Sequence, residues 1–95
     1  MSDALRTVQV RIEGRVQGVG YRLWTQRTAV AMGLAGWVRN RRDGAVEAVF
    51  QGPNGDVNAM LVACEEGPRG AAVTRVEVVG EGEGAFAGFE VRETA

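Results

Sequence analysis

The stretch Thr7-Val8-Gln9-Val10-Arg11-Ile12-Glu13-Gly14-Arg15-Val16-Gln17-Gly18-Val19-Gly20-Tyr21-Arg22-Leu23-Trp24 changes its periodicity halfway along. Val8, Val10 and Ile12 alternate with polar neighbours, which is the pattern of a strand with one buried face, so residues 7–12 are expected to form one. From Tyr21 onward the spacing lengthens. Tyr21, Trp24, Thr28 and Met32 recur at three or four residues, as on one face of a helix, and Gly33 supplies the stop. A strand that feeds a helix through a short glycine-rich loop is the first half of a strand–helix–strand unit.

The rest of the chain continues that unit. Residues 36–41 and 45–51 read as two strands, joined at Asp43-Gly44, a pair suited to the positive φ angles of a tight hairpin. Gly52-Pro53-Asn54-Gly55 breaks the chain. Val57, Met60, Leu61 and Cys64 then fall at i, i+3, i+4 and i+7, an amphipathic helix ended by Gly67-Pro68. Residues 73–79 read as a fourth strand, 80–84 as a polar glycine-rich turn, and 86–92 as a short last strand with Phe89 and Val91 on one side. Helices that link parallel strands take right-handed crossovers. Two such split units give an α+β, ferredoxin-like βαββαβ sandwich: one mixed or antiparallel sheet, two helices on one face and a short extra C-terminal strand. Ninety-five residues allow one domain, 1–95, and no repeat or low-complexity segment interrupts it.

Composition removes several classes of chemistry. There is no histidine and Ser2 is the only serine, which excludes a Ser-His-Asp arrangement and a Cys-His pair. A single cysteine, Cys64, excludes an intrachain disulfide and a zinc site of the usual Cys/His kind. Cys64 lies on the apolar stripe of the second helix and is expected in the core, as are Trp24 and Trp37. A net charge of −1 gives no general polyanion-binding surface. All eleven basic residues are arginines, planar forks suited to oxyanions. No apolar run is long enough to span a membrane, and Met1-Ser2-Asp3-Ala4-Leu5-Arg6 lacks a signal-peptide pattern, so a cytoplasmic setting is expected.

The loop itself is a candidate anion site. Its glycines, Gly14, Gly18 and Gly20, let successive backbone N–H groups turn toward one centre. A helix N-terminus adds unpaired donors and a partial positive charge. Arg22, in the first helical turn, can hold two oxyanion oxygens at once. The same pattern also serves as a plain structural turn. It is neither a Walker loop nor a dinucleotide fingerprint, because Gly-Lys-Ser/Thr is missing and Leu23 stands at the third glycine position. Asn40 is the second candidate. Strands one and two are parallel, so their C-terminal ends share a sheet edge, and Asn40 is expected beside the loop. There it either orients a water next to a bound phosphate or prepares the hairpin at Asp43-Gly44. Arg39, Arg41 and Arg42 either steer anions toward this edge or are solvated surface charge.

Taken together, Gly14-Arg15-Val16-Gln17-Gly18-Val19-Gly20-Tyr21-Arg22, Gly33-Leu34-Ala35-Gly36-Trp37-Val38-Arg39-Asn40 and Asp43-Gly44-Ala45-Val46-Glu47 closely resemble the acylphosphatase family. The similarity extends to Gly67-Pro68 and to Phe86-Ala87-Gly88-Phe89-Glu90-Val91-Arg92. It implies the same ferredoxin-like fold and hydrolysis of a carboxyl–phosphate anhydride without a metal or other cofactor. Arg22 matches the family's phosphate-binding arginine and Asn40 its water-positioning asparagine. Arg15, Val16, Gln17, Gly18, Val19, Gly20 and Tyr21 match the loop whose backbone amides cradle the phosphate. Inorganic phosphate is then expected as product and competitive inhibitor, with the protein acting as a monomer that engages neither nucleic acid nor membrane. Two departures stand out. Tyr21 replaces the usual phenylalanine and places a hydroxyl near the site, where it is open to affect pKa or substrate choice, and Arg69 follows Pro68 where a second proline is common. Two rival readings remain: a nucleic-acid-binding module, which would want exposed aromatics on the central strands and a basic face, and an anion-binding domain without turnover.

Overall fold

The computed structural model describes residues 4–82 and 84–95. Its elements are β1 (Leu5–Arg15), α1 (Tyr21–Ala31), β2 (Ala35–Asn40), β3 (Val46–Pro53), α2 (Asn54–Glu66), β4 (Ala72–Glu81) and β5 (Phe89–Val91). They form one five-stranded sheet in the order β4-β1-β3-β2-β5. β1 and β2 both run antiparallel to the β3 strand between them and are therefore parallel to each other, as the split strand–helix–strand reading requires. β5 adds to β2 in parallel, which makes the sheet mixed. The fold is the expected ferredoxin-like sandwich.

Strand alternation decides what the sheet buries. Val8, Val10 and Ile12 of β1 and Val46, Ala48 and Phe50 of β3 are fully buried and pack against Tyr21, Ala29, Val57, Met60 and Cys64 of the helices. Cys64 is a core residue, and burial pushes its thiol up to about 12. The buried line of α1 is Tyr21, Thr25 and Ala29; Trp24, Thr28 and Met32 are half-buried beside it. The stripe is thus displaced by one residue from the reading based on side-chain size. Small residues let the helix lie close to the sheet, and Thr25 bonds its hydroxyl back to the Tyr21 carbonyl at 2.8 Å.

The opposite face carries charge. Glu47 is approached by Arg39 Nε at 2.7 Å, by Arg41 Nη1 at 3.5 Å and by the Gln9 amide. Burial alone would raise its carboxyl, but hydrogen bonds from Arg39 and Gln9 and the two guanidinium charges outweigh that and hold it low. Trp37 belongs to this face and not to the helix-side core. The guanidiniums of Arg39 and Arg92 each lie 4.7 Å from its ring centroid, which explains its low exposure of 8%.

Several element boundaries differ from the sequence reading. β1 extends through Gly14 and Arg15, which pair with Val73 and Ala72 beyond a register shift. α2 begins at Asn54, directly after β3, because Pro53 closes the strand and leaves the next residue free to start a helix. Gly80 and Glu81 belong to β4, and β5 is only three residues long. Residues 84–86 are held by a side chain instead of a strand ladder: Gln51 Nε2 donates to the Gly84 carbonyl, and the Phe86 amide donates to Gln51 Oε1. Glu83 of the anticipated turn, and Met1, Ser2 and Asp3 of the N-terminal reading, lie outside the described residues. Among the described residues no helix is long and apolar enough to cross a membrane.

Candidate active site

The C-terminal ends of β1 and β2 meet at one edge of the sheet, and there the structure holds a cavity of about 420 Å³. Val16, Gln17, Gly18, Gly20, Tyr21, Arg22 and Asn40 line it, together with Leu23, Gln26 and Val91. The two side chains singled out from sequence, Arg22 on α1 and Asn40 at the end of β2, therefore share one space. Asn40 belongs to the helix-side set of β2 with Gly36 and Val38, whereas Arg39 and Arg41 alternate to the charged face. Their commitment to Glu47 leaves Arg42 as the exposed arginine of that trio.

The donors in this space have a local cause. α1 starts after Gly20, whose φ of 77° is left-handed, and its first helical bond runs from the Trp24 amide to the Gly20 carbonyl at 3.0 Å. The amides of Tyr21, Arg22 and Leu23 precede that bond and have no helical acceptor. No side chain caps α1 and its first turn has no acidic residue, whereas the first turn of α2 carries Asp56. The positive end of α1 is left facing the cavity with Arg22 beside it.

The loop glycines divide by role. Gly18 and Gly20, with φ of 75° and 77°, shape the cavity-lining turn, and a Cβ at either would meet nothing within 4 Å. Gly14 serves the sheet. A Cβ there would stand 2.2 Å from the Ala72 carbonyl oxygen, so the residue is needed where β1 shifts register against β4. Arg15 ends β1, and Val19 packs against the core; neither lines the cavity.

Gln17 fixes the loop to the strand that carries Asn40. Its Nε2 donates to the Arg41 carbonyl at 2.7 Å and to the Ala45 carbonyl at 2.9 Å. The same carbonyls close the β2–β3 hairpin, accepting from Gly44 N at 3.1 Å and Arg41 N at 2.7 Å. One side chain thus ties the turn of the anion loop to the turn immediately beyond Asn40. Among the described residues no partner engages the Asn40 carboxamide, which leaves its donor and acceptor to the cavity.

The Tyr21 hydroxyl does not face this space. It donates to the carbonyl of Cys64 on α2 at 2.6 Å with the residue 1% exposed, and burial raises the phenol far above its ordinary value. It is an inter-helix tie. The C-terminal segment contributes what the sequence reading did not include. Arg22 Nη1 lies 3.4 Å from the Arg92 carbonyl, and Gln26 Nε2 donates to the Phe89 carbonyl at 3.1 Å. Gln26 was accessible from sequence, since it stands at i+4 from Arg22 on the same helix face. Val91 was not, because nothing local to residues 86–92 says which side of β2 they join.

Geometry of this kind can hold a tetrahedral oxyanion among amides and a guanidinium, with a neutral amide beside it. A family model described as Acylphosphatase matches residues 8–91. The chain is 55% identical over 78 residues to an acylphosphatase of Mesorhizobium japonicum, which covers 82% of this chain and 83% of that protein. Among solved structures, an acylphosphatase from Coxiella burnetii superposes with a TM-score of 0.88 at 32% identity, covering 93% of each chain. That from Bacillus subtilis gives a TM-score of 0.85 at 34% identity, covering 94% of this chain and 99% of the other.

Proposed function

This chain belongs to the acylphosphatase family, and from that premise we propose how its residues divide the work of hydrolysing acyl phosphates. Arg22 and the amides of the cavity-lining loop residues Val16, Gln17, Gly18, Gly20 and Tyr21 hold the phosphoryl oxygens, and the Asn40 carboxamide places a water in line with the scissile P–O bond. The water oxygen bonds to phosphorus, the P–O bond to the acyl group breaks, and its electron pair leaves as a carboxylate. A proton of the water passes to a phosphoryl oxygen of the substrate. The leaving group is already good, so the protein supplies position and charge stabilisation in place of a strong base or a metal. Charge spread over the equatorial oxygens meets the donors of the loop and of the α1 N-terminus.

The observation that carries this reading is that Arg22, Asn40 and the uncapped start of α1 line one cavity. Metal independence, competition by inorganic phosphate, a monomeric state and a cytoplasmic setting belong to the same proposal. Hydrolysis of acetyl phosphate with EDTA present, and with inorganic phosphate as competitor, tests it. Arg22→Ala should abolish both turnover and phosphate inhibition, and an unchanged phosphate inhibition constant would remove Arg22 from its role. Asn40→Ala should lower kcat and leave phosphate inhibition nearly intact. A large loss of phosphate affinity there would instead make Asn40 a binding residue.

A further inference from the structure

Two exposed apolar side chains at the cavity have no part in phosphate binding: Leu23, 47% exposed, and Val91, 41% exposed. Isolated apolar residues on a surface are ordinary. These two are held together from different parts of the chain. Leu23 is on α1 and Val91 on β5, and two contacts from α1 to residues 89–92 bracket them, Arg22 to the Arg92 carbonyl at 3.4 Å and Gln26 to the Phe89 carbonyl at 3.1 Å. The spacing of the two side chains is therefore set before any ligand arrives. The third apolar lining residue, Val16, is buried and extends the same surface inward.

Resting on the reading of the site as an acyl-phosphate hydrolase, we propose that Leu23 and Val91 form an apolar shelf for the acyl group. The shelf selects acyl phosphates whose acyl part is a longer aliphatic chain or an aromatic ring over acetyl phosphate and over those bearing a second carboxylate. An acyl phosphate has two unlike ends. Once the phosphoryl group lies against the loop amides and Arg22, the acyl end has to extend toward the remaining lining. A hydrocarbon placed on Leu23 and Val91 removes apolar surface of both partners from water. Full burial of a methylene is worth about fourfold in an equilibrium constant. A shelf whose residues remain nearly half exposed should give about twofold per methylene.

The test is a series of acetyl, propionyl and butyryl phosphate, whose carboxylate leaving groups are of nearly equal basicity. For the unaltered chain, kcat/KM should rise about twofold per added methylene. Leu23→Asn should flatten that rise without altering the inhibition constant of inorganic phosphate, which reads the phosphoryl end alone. Val91→Thr, which keeps the shape of the side chain, should do the same and guards against a Leu23 variant that folds poorly. A rise that survives both substitutions, or no rise in the unaltered chain that hydrolyses all three, overturns the shelf and leaves the reaction standing. Hydrolysis of none of the three overturns the reaction and the shelf with it.

Discussion

Removing one oxygen atom, in Tyr21→Phe, should unfold this protein at a markedly lower temperature. The Cys64 carbonyl lies in the last turn of α2, where a continuing helix would offer it the amide of residue 68. That residue is Pro68, which has no N–H, and the Gly67 amide goes to the Ala63 carbonyl at 3.0 Å. The Tyr21 hydroxyl, 2.6 Å away, is the donor that replaces it. The ring has little freedom to move, since a Cβ at Gly67 would already stand 2.7 Å from Tyr21 Cε2. Phenylalanine should therefore occupy the same volume and leave the carbonyl buried without a donor. That loss costs about 2 kcal/mol. For a chain of this length each kcal/mol moves the midpoint by roughly 4–8 °C, so a fall of about 8–16 °C is expected. Thermal and urea unfolding of the two proteins, followed by circular dichroism, measure it. A loss below about 0.5 kcal/mol would refute the reasoning, because it would mean that Cys64 finds another donor at no cost.

Gln17→Met should remove both ties between the loop and the hairpin while their acceptors keep backbone partners, at a stability cost of about 1–2 kcal/mol. Because Gln17 sets the loop against Asn40, kcat should fall about tenfold in the native background and hardly further in Asn40→Ala; equal losses in both would deny the coupling. Gly14→Ala should cost about 2 kcal/mol or more, since its Cβ meets the Ala72 carbonyl oxygen at 2.2 Å. Gly18→Ala meets no atom and should cost only the left-handed backbone penalty of about 1 kcal/mol. The reverse ranking in urea titration would contradict the roles assigned to these glycines. The stability contributed by Cys64 and Tyr21 should be fully present below about pH 9 and decline above it. The unfolded thiol of Cys64 loses its proton from its ordinary value of 9.0, whereas the folded one keeps it to about 12. The raised Tyr21 phenol adds to the decline from its ordinary value of 10.0. Each group contributes a slope of about 1.4 kcal/mol per pH unit. A urea midpoint unchanged between pH 8 and pH 11 would refute the linkage, and Cys64→Val should delay the onset of the decline.

Local pattern determined more about this protein than its length suggests. Alternation of Val8, Val10 and Ile12, the helical spacing through Cys64 and the Asp43-Gly44 turn depend only on neighbours in the chain, and they were enough for the ferredoxin-like order of elements. The parallel relation of β1 and β2 placed Asn40 beside the loop and Arg22, because crossover handedness and sheet direction follow from the order itself. The family resemblance supplied the roles for those two residues. Long-range contact decided the rest. Whether Gly14 served an anion or a bulge depended on β4, nearly sixty residues later in the chain. Tyr21 looked like a neighbour of the site because it precedes Arg22, yet its hydroxyl turns to α2, where Pro68 leaves a carbonyl in want of a donor. Trp37, Arg39 and Arg41 could not be assigned a face until Glu47 was placed across the sheet. Leu23 and Val91 meet at one cavity only because β5 adds to β2, a pairing that no local period encodes. Sequence thus determined what repeats along the backbone, and tertiary structure decided which partner satisfies each side chain. Periodicity is a property of adjacent residues, whereas hydrogen-bond satisfaction is settled between segments that only folding brings together.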